Sequence, residues 1–134
     1  ARERQAVSEA MRAIQVDQRA LYSKVGTFSG GNQQKIAMAK WLLTGSEVLL
    51  LFDPTRGVDV GTKHEIYVMV REFADKGGAV LMFSTEIPEL TNLCDRVLVM
   101  YGGQIAREVG RADLSEDTII EAAIGAHRPH AARH

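Results

Sequence analysis

The chain has 134 residues, 46% of them hydrophobic and 25% charged, with a formal net charge of -1. That length suits one domain with its own core. The near-neutral balance, spread along the chain, excludes the basic footprint of a nucleic-acid binder and the polybasic patch of a membrane-surface protein. The single cysteine, Cys94, excludes an internal disulfide framework, fits a reducing compartment and reads as a small buried hydrophobe.

Val7, Ala10, Met11 and Ile14 recur at helical spacing, so the first segment reads as an amphipathic helix. The chain opens at Ala1 directly in this helix-like sequence, as a piece cut from a longer protein does. Its start, Arg2-Glu3-Arg4-Gln5, lacks the apolar region of a signal peptide. A loop is expected around Ser23 to Thr27, then a helix from near Asn32 through Lys40 to Leu43, stopped by Gly45. Trp41 on that helix reads as core or helix packing.

Val48 to Phe52 is the longest apolar run, far short of the roughly 20 residues that span a bilayer, so a membrane role has to come through a partner. Continuous apolarity between turn residues predicts a parallel strand buried on both faces, and Ala79 to Phe83 reads the same way. Between them, Thr62-Lys63-His64-Glu65 is a candidate capping box for a helix running to about Ala74 and stopped by Gly77-Gly78, with His64 solvated in its first turn. Pro88 suits the first turn of a short helix. Val97 to Tyr101 and Gln104 to Val109, joined by Gly102-Gly103, predict a β-hairpin. A last helix is expected over about Ser115 to Ile124, and Gly125 to His134 reads as a disordered tail. Strand and helix alternation gives an α/β class, a parallel sheet flanked by helices with a C-terminal hairpin, and without repeats or linkers the chain reads as one unit.

Two stretches carry chemistry. Ser29-Gly30-Gly31 stands just before a helix, where paired glycines let backbone N–H groups approach an anion, a serine hydroxyl can add a bond, and the helix dipole favours negative charge. The dipole contributes only about 0.3–1 kcal/mol at an exposed site, so several donors must act together. Taken alone, Ser-Gly-Gly is equally an ordinary N-cap with loop glycines. The longer run Phe28-Ser29-Gly30-Gly31-Asn32-Gln33-Gln34-Lys35, followed by a buried strand and then Asp53-Pro54-Thr55-Arg56-Gly57-Val58-Asp59-Val60-Gly61, is far more specific. It resembles the signature motif, Walker B strand and D-loop of ATP-binding cassette (ABC) ATPases. The resemblance is strongest to the second cassette of the tandem-cassette ATPases that power bacterial monosaccharide importers of the ribose, xylose and galactose type, and it covers roughly Arg4 to Gly125.

The resemblance implies the C-terminal portion of a nucleotide-binding domain with a partial P-loop NTPase fold: part of the helical subdomain, signature, Walker B, D-loop and switch region within residues 1–125, with 126–134 as tail. It implies that Ser29, Gly30 and Gly31 contact ATP in trans, held by a partner cassette, with Gln33 close to the nucleotide and Asp59, at the D-loop position, aligning the two sites. It further implies Mg²⁺ bound mainly by parts of the site outside this chain, transmembrane permease subunits, a periplasmic sugar-binding protein acting indirectly, and a peripheral place on the cytoplasmic face of the inner membrane. Nucleic acid is not expected. The binding protein and membrane subunits choose the sugar.

The chain departs from that family in three places. Cassettes usually close the Walker B strand with Asp-Glu-Pro-Thr, whereas Phe52-Asp53-Pro54-Thr55 stands here. A gapless reading puts Phe52 at the metal position and Asp53 at the glutamate position. A local shift instead gives Asp53 to the metal and leaves no general base. Phenyl cannot ligate Mg²⁺, which takes oxygen ligands, so either way one carboxylate is missing and the half-site reads as impaired. Thr85 stands at the switch position usually held by histidine, and it cannot titrate near neutral pH as an imidazole does. The P-loop G-x-x-x-x-G-K-[ST] is absent, and Gly57 to Lys63 has the wrong spacing and context to replace it. The chain alone is therefore expected to be inactive as an ATPase, and its open sheet edges are expected to self-associate.

The rival readings are a non-catalytic cassette remnant acting as an interaction or dimerisation module, motivated by Phe52 and Thr85, and a DNA-repair or chromosome-organising ATPase, which the lack of heptads and of a basic patch argues against. His127, His130 and His134 have no carboxylate or cysteine companions and are read as tail, not as a zinc site. No Ser-His-Asp or Cys-His arrangement is present.

Overall fold

The computed structural model describes residues 2–13, 16 and 22–125. They fall into two compact units, one within residues 1–83 and one within 84–134, where the sequence predicts one.

In the first unit, helix α1 spans Arg2–Ala13, α2 spans Gly30–Leu43, β1 spans Val48–Phe52, α3 spans Val60–Asp75 and β2 spans Ala79–Phe83. A short 3₁₀ turn, Val25–Thr27, leads into α2. Helix α2 begins two residues ahead of the expected Asn32 because Ser29 caps it, its hydroxyl oxygen accepting the Asn32 N–H. Likewise α3 begins at Val60 under an Asp59 cap, so the candidate box opening at Thr62 lies inside the first turn and not ahead of it. Gly45 (φ 69°) follows α2 and Gly77 (φ 95°) follows α3, left-handed positions that glycine takes without steric cost.

Strands β1 and β2 are parallel, in register from Val48 opposite Ala79 to Phe52 opposite Phe83. Leu51 and Val80 turn towards the helices, where Met11, Met38, Ala39, Ile66, Met69 and Val70 form the core. The opposite face corrects the expectation of strands buried on both sides: Leu50 is 72% exposed and Phe52 76%, with Val48, Leu81 and Phe83 also open. An unbroken apolar run presupposes a layer on each face of the sheet. Among the described residues of this unit, helices pack on one. Trp41 is corrected too. It is 54% exposed, with the Lys40 Nζ 5.7 Å from its ring centroid, because Met38 and Leu42, four apart, take the inward stripe of α2.

In the second unit, α4 (Ile87–Leu93) is followed by β3 (Arg96–Tyr101), β4 (Gln104–Gly110), a 3₁₀ turn at Arg111–Asp113 and α5 (Glu116–Gly125). The hairpin turns on Gly102 (φ 57°) and Gly103 (φ 78°), the two positive angles that a tight two-residue connection requires. Pro88 lies in the first turn of α4, as expected. Val97 and Val99 pack with Ile119 and Ala122 of α5, and half-buried Cys94 joins them at the margin. Ile14 and the tail histidines lie outside the described residues.

Candidate functional site

The site is built on two helix starts in the first unit. At α2, the Ser29 hydroxyl oxygen accepts the Asn32 N–H at 3.3 Å and the Ser29 carbonyl accepts the Gln33 N–H at 2.9 Å. The amides of Gly30 and Gly31 precede any intrahelical carbonyl that could receive them, so they are the natural donors for an anion at this end. Ser29 and Gly30 are exposed and Gly31 is buried. Gln33 is half-buried. Its amide nitrogen donates to the Phe28 carbonyl at 2.8 Å and braces the loop that delivers Ser29.

At α3, the carboxylate of Asp59 takes two bonds from one residue: the Thr62 N–H at 3.0 Å and the Thr62 hydroxyl at 2.7 Å. The hydroxyl foremost, and then the backbone N–H, hold Asp59 below its ordinary pKa of 3.8. A depressed carboxylate stabilises the fold above its unfolded pKa and loses that contribution as pH falls through the folded value. Acid titration of stability is therefore expected to show a loss below about pH 3.8 that Asp59→Asn lacks. Chemical denaturation at stepped pH checks this; parallel wild-type and Asn curves through that window would contradict it.

The two starts touch. A Cβ placed on Gly31 would lie 2.7 Å from Thr62 Cγ2 and 2.8 Å from Thr62 Oγ1, so only glycine lets α2 approach α3 this closely. One turn along, Lys35, 4% exposed, donates its ammonium to Glu65 at 2.5 Å. The structure thus brings Gly31 and Asp59 together through Thr62. This bridge is not legible in the sequence, because Thr62 there reads only as a helix-capping residue, and the Lys35–Glu65 pair is 30 residues apart.

Asp53 follows β1 at φ 44°, a left-handed angle uncommon outside glycine, with its N–H bonded to the Phe83 carbonyl at 2.8 Å. Its carbonyl closes a turn by accepting the Arg56 N–H at 3.1 Å, over fully buried Pro54 and Thr55. Phe52 stacks on Phe83, ring centroids 4.5 Å apart and planes 14° from parallel. That position is given to an aromatic contact and offers no oxygen. Gly57 to Lys63 forms the end of this turn and the start of α3, with no glycine-rich cradle ahead of a helix.

Thr85 lies in the second unit, exposed, in the bend before α4. Beside it the Ser84 hydroxyl donates to the buried Glu89 carboxylate at 2.5 Å and accepts the Glu86 N–H at 3.0 Å. Glu89 is a buried acid that no sequence pattern singles out. Among the described residues no three His, Cys, Asp or Glu side chains group so as to hold a metal ion, and no helix is long and apolar enough to cross a membrane.

Residues 1–56 match a family model described as ABC transporter. Over 131 residues the chain is 45% identical to the ribose import ATP-binding protein RbsA 1 of Rhizobium etli, covering 98% of this chain and 26% of that protein. A nucleotide-free ATP-binding cassette from an ABC transporter superposes with a TM-score of 0.77 at 22% identity, covering 94% of this chain and 50% of the cassette. The dimeric post-hydrolysis state of another ATP-binding cassette, bound to ADP and Pi, gives 0.70 at 22% identity over 80% of this chain and 46% of that one. The chain spans about a quarter of the length of the curated relative.

Proposed function

The chain is a stretch of an ABC transporter ATP-binding cassette, and from that premise we propose that its Ser29-Gly30-Gly31 turn clamps ATP held by a second cassette in a sugar importer. The observation that carries this reading is the Ser29 cap. It uses the serine and the Asn32 and Gln33 amides to fix the helix start, leaving the Gly30 and Gly31 N–H groups directed at whatever anion faces it. A solved cassette of this fold occurs as a dimer with ADP and Pi, which fits a clamp acting across an interface.

In this reading the cassette pair closes on bound ATP and its accompanying Mg²⁺, and hydrolysis of the phosphoanhydride bond powers the cycle. This chain's residues then divide the work. Gly30 and Gly31 bind the terminal phosphate through their amides, Gln33 holds the Phe28 carbonyl and so the approach loop, and Asp59 aligns the clamp with the partner site. Asp53 is the one carboxylate at the end of β1, and Phe52 beside it is committed to Phe83, so this segment's own half-site is degenerate. Thr85 fills the switch position without a titrating ring. The assembled subunit works against the permease subunits at the cytoplasmic face of the membrane, with the periplasmic binding protein delivering the sugar. On its own the chain self-associates through its open sheet edges and the apolar face of β1 and β2.

The test is a graft. The chain replaces the matching segment of the Rhizobium etli protein, and ATP turnover is measured with that protein's membrane subunits. Ser29→Ala in the graft is expected to lower turnover at least about tenfold, since it removes one charge-assisted donor as well as a cap. Unchanged turnover would sink the clamp. A second reading, a docking module without a catalytic part, is favoured by the Phe52–Phe83 stack. It requires the graft to bind the membrane subunits while Ser29→Ala and Asp53→Asn both leave turnover untouched.

A further inference from the structure

The first turns of α2 and α3 run side by side as a ladder. Gly31 meets Thr62 on the first rung, and Lys35 meets Glu65 on the next, four and three residues further on, the spacing that keeps each on the same helix face. Below them Met38 and Ala39 pack in one cluster with Ile66, Met69 and Val70. The upper rung is polar and specific. Thr62 has a single hydroxyl proton, which it gives to Asp59 Oδ2, and this bond selects one rotamer of a stiff β-branched side chain. With the rotamer fixed, Thr62 Cγ2 and Oγ1 both press on the only position in α2 where a Cβ is absent and the gap is closed.

The geometry points to Thr62 as a positioning residue. We propose that it joins the Gly30-Gly31 turn and Asp59 into one rigid body, with buried Lys35 and its half-exposed partner Glu65 locking the second rung, so that both elements reach the partner cassette at a fixed separation. This rests on the clamp reading above. Clamp donors act only when held close to their productive geometry, and a displacement of about 1 Å can cost roughly 100-fold in rate. Lys35 adds registry: its ammonium is nearly inaccessible, so sliding α2 along α3 would strand a buried charge away from Glu65.

Two measurements test the proposal. In the chain itself, Thr62→Val keeps the branched shape and removes the bond to Asp59. Amide hydrogen exchange at Asn32 and Gln33, on the other helix, is expected to rise about two- to tenfold, the factor one net hydrogen bond converts to. Thr62→Ser, which keeps the hydroxyl, is expected to hold exchange near wild type. In the grafted subunit, Thr62→Val is expected to lower kcat with little change in the KM for ATP, because this chain positions and does not carry the nucleotide; Thr62→Ser restores most of the loss. Exchange changes confined to the first turn of α3 would overturn the coupling, whatever Ser29→Ala does. Spread exchange with unaltered kcat would overturn its part in the clamp. An inert Ser29→Ala variant would instead remove the clamp reading on which that part depends.

Discussion

Gly31→Ala is expected to cut ATP turnover of the grafted subunit about 100-fold while changing the stability of the chain by no more than about 2 kcal/mol. The two effects separate because they have different origins. Overpacking a close contact costs about 1–3 kcal/mol. Alanine recovers up to about 1 kcal/mol in helix propensity over glycine, and Gly31 lies in the first turn of α2. The geometric effect has no such offset. The new methyl would sit 2.7 Å from Thr62 Cγ2 and 3.2 Å from Thr62 Cβ, so α2 must back away from α3 by a few tenths of an ångström or more. Thr62 cannot simply rotate clear, since its hydroxyl is tied to Asp59 at 2.7 Å. The displaced atoms are the Gly30 and Gly31 amides themselves. Gly31→Val should be worse on both counts. Adding Thr62→Ala to Gly31→Ala removes the two nearest atoms, though it also loses the bond to Asp59, and is expected to restore both stability and turnover in part. Turnover within threefold of wild type for Gly31→Ala would show that the close approach is not needed.

How much of this was legible beforehand differs from residue to residue. The element order was open to reading, since periodicity and glycine punctuation mark helices and strands locally: Gly45, Gly77 and the Gly102-Gly103 hairpin all fall where turns are needed. Ser29 was legible as a cap, because a hydroxyl before a helix has a local partner three residues on. What failed was anything set by packing between distant segments. Continuous apolarity in Val48 to Phe52 predicts burial on two faces, yet which faces are covered depends on what lies against the sheet. Trp41 reads as core by composition, while the helical phase settled by Met38 and Leu42 turns it outward. Thr62 reads as the start of a helix, and only the approach of a glycine 31 residues earlier reveals it as a spacer. Lys35 looks like one more surface charge until it is seen to be buried, with half-exposed Glu65 meeting its ammonium. The chemistry-bearing motif was therefore visible in sequence, and the device that aligns it was not.

Ile66→Ala is expected to produce the largest stability loss of any single truncation on α3, about 2–5 kcal/mol, against about 0.5 kcal/mol or less for Val68→Ala on the same helix. Ile66 is fully buried, whereas Val68 is 42% exposed and faces away from the core. Removing the Ile66 side chain takes apolar atoms from among Met38, Ala39, Met69 and Val70, and the void collapses only partly because these side chains come from two helices already fixed by the Gly31–Thr62 and Lys35–Glu65 rungs. Small domains hold roughly 5–15 kcal/mol in total, so the loss is a large fraction of what the first unit has to spend. Urea denaturation followed by far-ultraviolet circular dichroism measures it directly, and equal midpoints for Ile66→Ala and Val68→Ala would refute the placement of the core. The comparison also bears on the clamp. Ile66 is one residue from Glu65 and four from Thr62, so if the ladder is a rigid body anchored in this core, Ile66→Ala should raise hydrogen exchange at Asn32 and Gln33 together with that of α3. If the upper rung holds by its own polar contacts, those two amides should keep their protection while the core amides lose theirs. The first result makes the core the foundation of the clamp geometry; the second makes Thr62 and Asp59 sufficient for it.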